Sequence, residues 1–247
     1  MCGTEGISVL AVVFGALATI EFTKITKGIS YTSLPTLIAD VASTGFLALS
    51  FFIFPLILWI LCLIVRLIIQ LYIETDKPLK DLAYSLMTQL YIGIPMALMV
   101  GIAVFYGVPH LMLAIFIFIW LNDTGAFLIG CSIGRHRLFP SVSPKKSWEG
   151  FFGGLIFSIG ASILIGQLWP GFFGMGNDIW KWGGLAVVVS VFGTWGDLIE
   201  SMIKRSLSIK DSGTMIPGHG GILDRIDSLL LVTPAAFLYI YFIEILF

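Results

Sequence analysis

The sequence predicts an all-α, polytopic transmembrane helical bundle of about eight spans. Three observations carry that prediction: the shortage of charge, the length of the apolar runs, and the side on which lysines and arginines collect. Of 247 residues, 57% are hydrophobic and only 12% are charged, with a mean hydropathy of +0.99. A water-soluble domain carries about 25% charged residues to cover its surface. This chain cannot cover itself that way, so lipid must face much of it.

A hydrocarbon core of about 30 Å takes about 20 apolar residues per helix. Runs of that kind fall at 6–23, 34–52, 53–73, 84–106, 109–130, 150–169, 180–198 and 228–247. The apolar stretch 45–73 is too long for one span, and Pro55 is the expected corner because proline removes a helix hydrogen bond. The first run lacks a basic leader and a small-residue cleavage site, so it reads as a retained membrane helix rather than a signal peptide.

Lys24 and Lys27 follow the first run, and Lys77 and Lys80 the third; Arg135, Arg137, Lys145 and Lys146 follow the fifth, and Lys204, Arg205, Lys210 and Arg225 the seventh. With eight spans these loops share one side, which the positive-inside rule makes cytoplasmic. Lys181 alone falls in an opposite loop, and Arg66 lies within a span. No repeat or linker interrupts the chain. One integral membrane domain over 1–247 is expected, with N-terminal helices in 1–106 and a catalytic region in 107–247.

The net charge of −1 gives no general attraction to nucleic acid, so any anion site must be local. Cys2, Cys62 and Cys131 are too scattered for a disulfide framework or a zinc cluster, and the isolated His110, His136 and His219 rule out a histidine-rich metal site.

Two polar segments, 131–149 and 197–228, are longer than connection demands. If 195–208 is helical, Asp197, Glu200, Ser201 and Lys204 fall at i, i+3, i+4 and i+7, on one face. Asp224 and Asp227, with Arg225 between them, open the last apolar helix. Paired carboxylates favour a hard cation such as Mg²⁺, which shares its remaining positions with water and substrate phosphates. Between the acidic sets lies Pro217-Gly218-His219-Gly220-Gly221, whose glycines permit positive φ and close approach to an anion. The helix starting just after it offers free N–H groups to phosphate, and Lys204, Arg205, Lys210 and Arg225 add positive charge. Any one of these features alone is more commonly a cap, a turn or an interfacial charge; the ordered set within residues 197–227 points to phosphate chemistry.

In Ser143-Pro144-Lys145-Lys146-Ser147-Trp148-Glu149-Gly150 two lysines sit beside an aromatic ring, and the plain reading is an interfacial anchor. Asn122 and Asp123 lie about 10 Å from the end of the fifth span at 1.5 Å per residue, where an ionisable group should face a polar cavity. Glu21 is expected to snorkel to an interface, and Asp40 has no assignment.

The segment SMIKRSLSIKDSGTMIPGHGGILDRID (201–227) closely resembles the signature of phosphatidate cytidylyltransferases: Ser-x-x-Lys-Arg, Lys-Asp, Pro-Gly-His-Gly-Gly and Asp-Arg-x-Asp in order. Asn122-Asp123, the 143–150 loop, Gly196-Asp197 and Glu200-Ser201 resemble that family too, so the likeness covers the C-terminal half in detail. It implies a polytopic helical fold with a polar cavity facing the cytoplasm, and the compact single-domain form points to a bacterial inner (plasma) membrane. It also implies CTP and phosphatidic acid as substrates, in contact with membrane lipid, Mg²⁺ as cofactor and CDP-diacylglycerol as product. A second cation and a homodimer are left open. Carried onto matching positions, Asp197 and Asp224 become the metal-binding carboxylates, with Glu200 and Asp227 as further candidates. Ser201, Lys204, Arg205, Lys210, Asp211, His219, Arg225 and Asp227 line or shape the site. Substrate contacts are expected from Asn122, Asp123, Lys145, Lys146, Ser201, Gly218, Gly220 and Gly221. Members of this family usually carry a further N-terminal span, so this chain is expected to start late. The rival readings are a CTP-dependent polyprenol or phytol kinase and, in a different class, a cation transporter using Asp123, Asp197 and Asp224 as a relay.

Overall fold

The computed structural model describes residues 3–107, 109–213 and 220–246; Gly218 and His219 of the glycine motif lie outside the described residues. The elements are α1 (Thr4–Thr26), α2 (Leu34–Ala48), α3 (Ile53–Leu71), α4 (Pro78–Thr88), α5 (Ile94–Phe105), α6 (Pro109–Ile133), β1 (Arg137–Phe139), β2 (Ser143–Ser147), α7 (Trp148–Leu168), α8 (Pro170–Phe173), α9 (Ile179–Ser206) and α10 (Leu223–Leu246). A single π turn, Gln89–Gly93, joins α4 to α5 into one continuous apolar span.

Among the described residues seven helices are long and apolar enough to cross a membrane, and the fold is an all-α polytopic membrane protein. The expected span at 34–52 is a helix of only 15 residues, about 22 Å at 1.5 Å per residue, which falls short of the hydrocarbon core. The break before α3 is a turn in which Ser50 N–H donates to Leu47 and Phe52 N–H to Leu49, each at 2.9 Å. Pro55 is therefore not the corner. It lies in the first turn of α3, where a missing N–H costs nothing.

Two compact units make up the chain: Met1–Phe105 with Leu207–Ile226, and Tyr106–Ser206 with Asp227–Phe247. In the first, α1 packs on α2 and α5 around Ala11, Ala18, Met96 and Val100. The residues that α3 buries are Arg66 and Gln70, while most of its aliphatic side chains stay exposed. That inversion of the water-soluble pattern suits a helix whose outer solvent is lipid.

Several buried polar groups of this unit find one another. Arg66 Nε lies 3.1 Å from Asp40 Oδ1, Ser85 Oγ donates to the same oxygen at 2.5 Å, and Arg66 Nη1 donates to Gln70 Oε1 at 2.8 Å. Gln89 Nε2, on the π turn, donates to Thr44 Oγ1 at 3.1 Å and to the Asp40 carbonyl at 3.4 Å. Asp40, unassigned from the sequence, is thus the centre of a buried helix-tying network.

In the second unit α6 packs along α7, and α7 along α9. Glycines set the first of these distances. A Cβ at Gly154 would stand 2.5 Å from the Asn122 carbonyl oxygen, and one at Gly150 2.8 Å from that of Ala126. Small residues allow such backbone approach where lipid supplies no hydrophobic drive between helices. Between α6 and α7 the chain makes an antiparallel hairpin, pairing Arg137 with Ser147 and Phe139 with Ser143, which hydropathy alone does not foresee.

Candidate active site

Helix α9 ends at Ser206, two residues short of the assumed 195–208, but it covers Asp197, Glu200, Ser201 and Lys204. Helical spacing then does what it should: Ser201 Oγ donates to Asp197 Oδ1 at 3.3 Å, and Lys204 Nζ meets Glu200 Oε2 at 2.5 Å, both at i,i+4. Asp197, Glu200 and Asp227 each bring a carboxylate oxygen within 4.8 Å of the others. The approach of α9 to α10 depends on Gly196, where a Cβ would lie 2.7 Å from the Asp227 carbonyl and 3.1 Å from Ser228 Cα. Asp227 Oδ1 accepts from Ser228 N–H at 2.6 Å, which fixes its side chain.

Like charges so close repel, and burial weakens the screening that water would give. Lysines offset part of that cost. Lys146 reaches from β2 to Asp197 Oδ2 at 2.6 Å and lies 3.4 Å from the Thr194 carbonyl. Lys204 covers Glu200, which is fully buried. Burial separates the two lysines: Lys146 is half-buried against the acids and Lys145 is exposed. Asp123 is exposed and interacts with the charges of Lys146 and Asp197. Asn122 is buried, its Nδ2 3.5 Å from Thr194 Oγ1, and its Oδ1 has no hydrogen-bond partner among the described residues.

The cluster fits a metal by its donor chemistry. Three oxygen donors on two helices suit a hard divalent cation, and nothing soft or nitrogenous competes among them.

The hairpin that carries Lys146 is held by its own sequence. Ser147 caps α7, accepting from Gly150 N–H at 3.1 Å. Glu149 accepts from the N–H groups of Arg135 and His136 at 3.1 and 3.2 Å. Ser147 and Glu149 therefore shape the loop, while Lys146 reaches the acids.

Other motif residues fall in the first unit. Asp224, in the first turn of α10, accepts from Ser212 N–H at 3.1 Å and Gly221 N–H at 3.0 Å. Glu21 is buried, not snorkelling: it accepts from Ser212 Oγ and, at 2.7 Å, from Ile222 N–H. Any side chain at Gly221 would collide with Glu21 and Ser212. Gly220 takes φ +81°, the conformation for which glycine was expected. The N–H groups of Gly221 and Ile222, which the sequence offers to phosphate, are instead taken by Asp224 and Glu21. Lys210, Asp211 and Arg225 are exposed in this unit, and Arg205 is exposed on the last turn of α9 in the other. Glu21 is the residue that sequence reasoning missed; the signal was an acid in an apolar helix, which burial obliges to find donors.

Fold and cluster together define a class: a multi-pass helical membrane protein carrying an acidic, lysine-flanked patch able to hold a hard cation. A profile of the Cytidylyltransferase family matches residues 1–243, and the chain belongs to that family. It is 42% identical over 159 residues to a protein of Staphylococcus epidermidis (strain ATCC 12228 / FDA PCI 1200) named phosphatidate cytidylyltransferase. Proteins of the same name from Staphylococcus aureus (strain COL) and Staphylococcus haemolyticus (strain JCSC1435) are 42% and 41% identical over 158 residues. Each match covers 62% of this chain and spans 57% of the relative's length.

Proposed function

We propose that the chain is a CTP:phosphatidate cytidylyltransferase, joining CTP to phosphatidic acid to give CDP-diacylglycerol and pyrophosphate. The observation that carries the reading is the meeting of Asp197, Glu200 and Asp227 within 4.8 Å, with Lys146 2.6 Å from Asp197. Membership of the family and the names of its relatives support the same reaction. In that reaction a phosphatidate oxygen attacks the α-phosphorus of CTP in line. A new P–O bond forms as the bond to the β-phosphate oxygen breaks, and pyrophosphate departs with its electron pair.

Phosphate oxygens are already nucleophilic, so the obstacle is the repulsion between two polyanions. Asp197, Glu200 and Asp227 would hold Mg²⁺, which when bound supplies Lewis-acid neutralisation of phosphate charge. The motif resemblance alone proposes Asp224 as a further metal carboxylate; its oxygens accept from the N–H groups of Ser212 and Gly221. Lys146 and Lys204 offset the charge of Asp197 and Glu200 and supply ammonium groups to incoming phosphate. Asn122 and Asp123 add polar contacts for substrate. The acyl chains stay in the bilayer, CTP arrives from the cytoplasm, and the enclosing membrane is a bacterial plasma membrane.

The test is detergent-purified protein incubated with CTP, Mg²⁺ and a mixture of phosphatidic acid and a polyprenol, with lipid product read by mass. Nucleotide retained on the lipid is expected. A phosphorylated polyprenol made from CTP, or no lipid product at all from folded protein, overturns the reading.

A further inference from the structure

The hairpin has a second face that the acidic cluster does not use. An open cavity of about 700 Å³ is lined by Arg135, His136, Arg137, Trp148, Glu149 and Phe152. The hairpin joins two spanning helices, α6 and α7, so this cavity lies where the membrane meets water. Glu149, the one acid in its wall, is tied up by three N–H groups: Arg135 N, His136 N and, at 2.6 Å, His136 Nδ1. Its charge is spent on holding the turn. Arg137 Nη1 donates to the Lys145 carbonyl at 3.3 Å, leaving the rest of its guanidinium fork to other partners. Arg135 makes no ion pair among the described residues. Beside these cations Trp148 is 42% and Phe152 53% exposed, their rings 6.3 Å apart.

We propose that this cavity holds one anionic glycerophospholipid of the bilayer, with its phosphate on Arg135 and Arg137 and its acyl chain along Trp148 and Phe152. The guanidinium fork matches phosphate oxygens, and an indole suits the boundary between headgroup and chain. A free phosphate could use the arginines but not the aromatic wall. That wall selects the lipid as the source of the anion. The proposal concerns lipid capture alone and does not require the cytidylyl transfer proposed above.

The test uses the full chain in nanodiscs of phosphatidylcholine containing rising mole fractions of phosphatidylglycerol brominated in its acyl chains. Trp148 emission is taken as the difference between the unaltered protein and Trp148→Phe. Saturable quenching is expected with brominated phosphatidylglycerol and not with brominated phosphatidylcholine at the same mole fraction. At about 1 kcal/mol per basic residue near an anionic surface, Arg135→Ala with Arg137→Ala should shift half-saturation about thirtyfold. Arg135→Lys with Arg137→Lys, which keeps the charge, should stay within about threefold. Equal quenching by the two lipids, or the same mole-fraction dependence in the alanine variant, overturns the proposal in favour of a nonspecific interfacial anchor. Loss of the quenching on adding inorganic phosphate overturns it in favour of a free-anion site.

Discussion

The two units bury charge in opposite ways. In the first, Asp40 meets Arg66 and Ser85, and Glu21 meets Ser212 and Ile222, so each acid faces donors. In the second, Asp197, Glu200 and Asp227 face one another, with lysines at the edge. Donor-satisfied acids tie helices together; crowded acids raise the energy of the folded chain and are relieved by a cation. The contrast separates acids that hold the fold from the acids of the proposed site.

The sharpest way to break the comparison is at the crowded end. Asp197→Asn or Asp227→Asn should lower kcat/KM for CTP about 10³-fold with unfolding temperature kept or raised, because like-charge repulsion falls. Steady-state kinetics beside thermal melts in detergent check this; a variant that loses stability and keeps turnover would reverse the assignment. Removal of divalent metal by a chelator should abolish turnover in the same assay without unfolding the protein.

At the satisfied end the signs exchange. Arg66→Met strands Asp40 in the interior and should cost about 3 kcal/mol of stability, read as a lower melting temperature, with kcat of the surviving folded fraction unchanged. In the second unit, where α6 packs on α7, Gly154→Ala should cost about 2 kcal/mol, since its methyl group meets the Asn122 backbone, which cannot rotate away. Smallest is the split between neighbouring lysines. Lys146→Ala should lower kcat/KM about tenfold, or about 1.4 kcal/mol, and Lys145→Ala less than about twofold. Equal effects would mean that the contact of Lys146 with Asp197 does not distinguish them.

Much of this was legible from residue order. The shortage of charge dictates a membrane protein, and 3.6-residue spacing puts Asp197, Ser201, Glu200 and Lys204 on one side of α9, as their bonds confirm. What escaped had long-range causes. Glu21 is sealed by partners 191 and 201 residues away, which no local pattern can announce. Donors at the start of α10 looked open to phosphate because the carboxylates that occupy them arrive from elsewhere in the fold and from the next turn. The hairpin at 137–147 is too short and too polar to register as a strand pair by hydropathy. The length of α2 depends on a turn at 49–52 that its apolar residues conceal.

Gly196 works as a gauge. With no side chain to keep α10 away, it fixes how tightly oxygen atoms from two helices can close on whatever they grip. Even one methyl group there would prise the jaws open, and a larger, more forgiving ion such as Ca²⁺ would gain on Mg²⁺, which insists on short, regular bonds. Ion preference would then be written at a position that touches no ion.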